Sequence, residues 1–93
     1  MSRIQIERQH LLGADEVRQR LARVEAMLLE RYGVALHWSG FQATIHSPNV
    51  SGSVKVGEAH LHIDMRLGLL FWPFSHAIRD ALTRQVDEQL AIG

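Results

Sequence analysis

Apolar and polar positions change period along this chain, and each change marks an element. Ile4 and Ile6 alternate with Arg3, Gln5 and Glu7, which predicts a short half-buried strand. Gly13-Ala14-Asp15-Glu16 then opens a helix, with acids in the first turn where the helix dipole favours them. Val17, Leu21, Val24 and Leu28 recur at helical spacing and form one apolar face. Gly33 is placed to end that helix as a left-handed cap.

Period two follows in four segments. Val34, Leu36 and Trp38 point one way, then Phe41, Ala43 and Ile45, then Val50, Gly52, Val54 and Val56. Ala59, Leu61, Ile63, Met65 and Leu67 give the clearest alternation of all. The turn signals between them are Ser39-Gly40, Ser47-Pro48-Asn49 and Gly57-Glu58. Tight turns would set Trp38 against Phe41 and Val56 against Ala59, with every apolar set on one face. The other face carries His37, Gln42, Thr44, Ser51, Ser53, Lys55, His60, His62 and Asp64. A last helix starts near Pro73, with Phe74, Ile78, Leu82, Val86 and Leu90 as its stripe, widened by Ala77 and Ala81.

The order β-α-β-β-β-β-α predicts a single α+β domain over residues 1–93. It is a two-layer sandwich, an antiparallel five-stranded sheet in order 2-3-4-5-1 with two helices on one face. This arrangement resembles a shortened helix-grip.

Composition narrows the functional classes. Ten basic and ten acidic residues cancel, so no global field attracts nucleic acid or anionic lipid. The chain has no Cys, which removes disulfides, thiolate metal sites and thiol catalysis. No window reaches the roughly 18 apolar residues of a transmembrane segment, and the first residues lack a signal-peptide core. The expectation is a cytoplasmic protein.

Candidate chemistry is sparse. His60 and His62 share a strand face, but with His62 expected opposite Ser53 and His37 near Gln42, no third metal ligand comes close. His10 near Glu7 and His76 near Asp80 have no activated nucleophile beside them, and Ser75 reads as a helix-start residue. The glycines of Gly52-Ser53-Val54-Lys55-Val56-Gly57 belong to a strand and a turn, not to a phosphate loop. The polar face offers one Lys and no aromatic for stacking a nucleic acid. The sequence therefore points to no catalytic residues, no metal and no cofactor.

The unabsorbed feature is Leu69-Leu70-Phe71-Trp72-Pro73-Phe74. Consecutive helical residues fan out by about 100°, so these side chains cannot all enter the core. Phe71 and Phe74, three apart, are expected inside; Leu69, Leu70 and Trp72 are left over. Leu69, Leu70, Phe71 and Trp72 are taken together as the candidate apolar binding surface.

Several segments in order resemble the small bacterial polyhydroxyalkanoic acid system family. They are Gln9-His10-Leu11-Leu12-Gly13 after the first strand, Arg31-Tyr32-Gly33 closing the first helix, and Gly52-Ser53-Val54-Lys55-Val56. Arg66-Leu67-Gly68-Leu69-Leu70 and an amphipathic C-terminal helix complete the match. The resemblance implies a non-enzymatic accessory protein of polyhydroxyalkanoate storage, at the granule surface or on granule proteins. Two other readings stay open. One is a hydrophobic-ligand module with a cavity near Trp38 and Met65; the other is a homodimer burying the apolar segment.

Overall fold

The computed structural model describes residues 2–91. Five strands form one antiparallel sheet: β1 (Ser2–Gln9), β2 (Leu36–Ser39), β3 (Gln42–Ser47), β4 (Val50–Val56) and β5 (His60–Leu67). Their spatial order is β1-β5-β4-β3-β2, the predicted order read from the other edge. Helices α1 (Ala14–Tyr32) and α2 (Ser75–Leu90) cover one face.

The inward side chains are those chosen by period. Ile4, Ile6, Ala43, Ile45, Val54, Leu61, Ile63, Met65 and Leu67 from the sheet meet Val17, Leu21, Val24 and Leu28 of α1. Ile78, Leu82 and Val86 of α2 complete the core. Gly33 ends α1 with φ 66°; its N–H donates to the Leu29 carbonyl and that of Val34 to Leu28. This double closure satisfies carbonyls the helix end would leave bare, and it buries Val34. Val34 therefore belongs to the cap, and β2 begins two residues later than its alternation suggests.

Two hairpin registers differ from expectation. Trp38 pairs with Ala43 instead of Phe41, and Val56 pairs with Leu61 instead of Ala59. Phe41 sits in the first turn and is exposed; Ala59 lies in the second and is exposed too. Each pairing slips by two positions, one whole pleat, so no side chain changes face. The cause is local: the Phe41 and Ala59 backbones serve other partners. The Phe41 carbonyl accepts from Val56 N–H at 2.9 Å and that of Ala59 from His10 N–H at 3.0 Å. The slip also sets His62 opposite Lys55 and His37 opposite Thr44.

Polar contacts pin α2 along the β1 edge. Arg8 holds Asp87 at 2.7 Å, and Arg79 donates to the Arg3 carbonyl at 3.4 Å. Arg20 of α1 donates to the Gln89 carbonyl at 2.9 Å, satisfying one carbonyl at the end of α2.

Candidate functional site

The end of β5 sets the geometry of the apolar segment. Leu67 is the last inward residue of the strand. Gly68 N–H then donates to the Asn49 carbonyl at 2.7 Å, tying the segment to the β3–β4 turn. Trp72 N–H returns to the Gly68 carbonyl at 2.9 Å, so Leu69 and Leu70 form the crest of a closed turn. Pro73 sits inside a short 3-10 helix, Trp72–Phe74, which leads into α2. Its ring fixes φ at a helical value where no N–H is needed.

The result is a projecting loop with both ends hydrogen-bonded. Leu69 is 83% exposed, Leu70 60%, Trp72 52% and Phe74 59%. Phe71 alone turns inward, packing on the core with its ring edge-on to Tyr32 at 6.2 Å. Of the four residues chosen from sequence, Leu69, Leu70 and Trp72 share the outside and Phe71 supports them from within.

Phe74 corrects the sequence expectation. Its spacing, four residues before Ile78, predicts a place in the helix stripe. The structure places it before the α-helix starts, with φ −104° and ψ 12°. A residue there does not continue the α2 stripe, and its side chain is exposed. Ala77 is exposed as well. The signal in the sequence is Pro73: a proline two residues before the helix marks a separate tight turn. Leu29, 54% exposed, stands one turn before Tyr32 on α1 and had no sequence signal.

The remaining candidates are spent on structure. Buried His10 places Nε2 3.0 Å from the Gly57 carbonyl and accepts from Leu12 N–H through Nδ1 at 3.3 Å. Both ring nitrogens thus clamp the β1–α1 connection. His62 Nδ1 lies 3.3 Å from Glu7 Oε1 on the open sheet face. Among the described residues, no three His, Asp or Glu side chains converge as a metal site would need. Trp38 donates through Nε1 to Glu25 at 3.3 Å, and Arg18 lies over its ring at 4.9 Å. It closes the edge of the sheet against α1. The void between helices and sheet is about 10 Å³, bounded by Leu21, Leu28, Leu36, Ile45 and Met65 among others. That void holds one water at most and leaves no room for a ligand. No described helix is long and apolar enough to cross a membrane.

Asp64, on the open face, receives two hydrogen bonds from the Arg3 guanidinium, at 2.7 and 3.1 Å. These bonds hold its carboxyl below the usual carboxylate range against partial desolvation; the charges of Arg3, Arg66 and His62 act in the same direction.

Comparison with known proteins agrees with this architecture. No curated protein matches the chain. The NMR structure of PA4090 from Pseudomonas aeruginosa superposes with a TM-score of 0.56 at 8% identity, covering 95% of this chain and 83% of that one. That likeness establishes the fold alone. A family model described as "putative polyhydroxyalkanoic acid system protein" matches residues 4–90, nearly the whole chain. The chain therefore belongs to the polyhydroxyalkanoic acid system protein family.

Proposed function

We propose that this protein is a non-enzymatic accessory component of polyhydroxyalkanoate storage. It attaches to the granule surface, or to proteins on it, through Leu69, Leu70 and Trp72, joined by Phe74. The observation that supports this is the closed turn holding four large apolar side chains in water while the core beneath them is full. Large apolar side chains exposed so close together along the chain mark an interaction surface. Because both loop ends are hydrogen-bonded, little ordering entropy is lost on contact. Burying the exposed parts of the four side chains is worth about 5 kcal/mol gross, taking about 1.5–3 kcal/mol for each fully buried residue. Association costs reduce this to a reversible attachment.

The test is partitioning of purified protein onto polymer granules, wild type against Leu70→Ser/Trp72→Ser. Equal partitioning removes this surface as the contact. The competing reading is a homodimer across the same four side chains. Light scattering that finds a monomer at high micromolar concentration argues against it, whereas a dimer that dissociates in the double variant supports it.

A further inference from the structure

The proposed attachment surface has a charge frame. Between Arg66 and Arg79 lie twelve residues, 67–78, without a single carboxylate. The exposed loop is the middle of that stretch. Arg66 is exposed at the end of β5, next to the shallow cleft formed by the β3–β4 turn and Gly68. Arg79 is exposed on α2 and reaches back to the Arg3 carbonyl. Arg3 in turn pairs with Arg66 across β1 and β5. The row continues through Ser51 to His46 on the open face and holds no acid. Along the sequence the nearest carboxylates are Asp64, engaged by Arg3, and Asp80, which follows Arg79.

Resting on the attachment reading above, we propose that the surface recognised is anionic: a layer of acidic phospholipid into which the loop inserts. Leu69, Leu70, Trp72 and Phe74 enter the apolar region, while Arg66 and Arg79 meet headgroup phosphates at the rim. The chain as a whole is neutral, so this attraction is local to the loop. An uncharged polymer surface would gain nothing from arginines at the edge of the loop, and bare carboxylates beside the loop would repel an acidic layer. Arginine suits the role because its planar guanidinium meets phosphate with two parallel bonds.

The experiment is co-sedimentation of the full chain with phosphatidylglycerol vesicles, phosphatidylcholine vesicles and polymer particles free of lipid. The expected result is strong preference for phosphatidylglycerol, lost at about 1 M salt where the screening length falls to about 3 Å. Arg66→Gln/Arg79→Gln should lower phosphatidylglycerol binding by about 25-fold, about fivefold for each arginine, and leave polymer binding unchanged. Leu70→Ser/Trp72→Ser should lower both. Equal binding to the two lipids, or full binding by the arginine variant, overturns the inference. Wild-type protein that binds polymer but ignores vesicles overturns the inference and leaves the proposed function standing. Binding to phosphatidylglycerol but not to polymer supports the inference and removes bare polymer as the contact, and binding to neither overturns both.

Discussion

Phe71 and Phe74 lie three residues apart in one apolar run, yet removing each should have opposite consequences. Phe71→Ala removes a ring packed on the core and edge-on to Tyr32. A fully buried Phe→Ala change costs about 3–5 kcal/mol. Partial burial lowers that figure, and the lost ring pair adds about 1 kcal/mol. The expected destabilisation is about 2–3 kcal/mol. Phe74 is 59% exposed, so Phe74→Ala should cost less than about 1 kcal/mol. Urea titration followed by far-ultraviolet circular dichroism separates the two. With a slope of about 1 kcal/mol per molar, Phe71→Ala should lower the midpoint by about 2–3 M, and Phe74→Ala by under 1 M. Equal midpoints, or a larger loss for Phe74→Ala, would refute the division of the run into an inner support and an outer surface. Leu82→Ala provides the scale for a fully buried α2 residue, with an expected loss of about 2–5 kcal/mol.

Two further outcomes test the frame around the loop. A Cβ at Gly52 would overlap the Asp64 carbonyl, so Gly52→Ala must displace β5 from β4 and should cost about 3 kcal/mol or more; a wild-type urea midpoint would contradict this pairing. Asp64 titrates below its unfolded value of about 3.9, so its contribution to stability is present above that pH and is lost as pH falls through the folded value. Asp64→Asn should therefore flatten the acid side of the stability profile below about pH 4, and parallel acid losses in both proteins would remove the Arg3 pairing as the cause.

Much of the fold was legible because period assigns faces independently of turn detail. Phe41 and Ala59 show why: each was placed one pleat away from its true environment, yet every strand kept its apolar face inward. The turns themselves were less legible, since backbone hydrogen bonds made by Phe41 and Ala59 leave no mark on the side-chain pattern. His10 is similar. Its burial and double backbone contact arise from where the β4–β5 turn comes to rest, which no local spacing encodes. At the loop, Leu69, Leu70 and Trp72 were identified by surplus, because the core already had enough hydrophobic residues. The four-residue steps of the stripe extend backward from Ile78 to Phe74, the residue directly after Pro73. The 3-10 turn there ends the helical phase before reaching Phe74. Arg66 and Arg79 flank the loop in the sequence, but only the strand pairing brings Arg3 beside Arg66.

In the proposed attachment, the crest of this loop is the part of the protein that leaves water. Trp72 reports on that directly once Trp38, held by Glu25 and Arg18, is replaced by Phe. On addition of polymer granules, Trp72 emission should shift to the blue and its quenching by acrylamide should fall, in proportion to the protein bound. Protein that sediments with granules while Trp72 keeps the emission and quenching of the free state would contradict it.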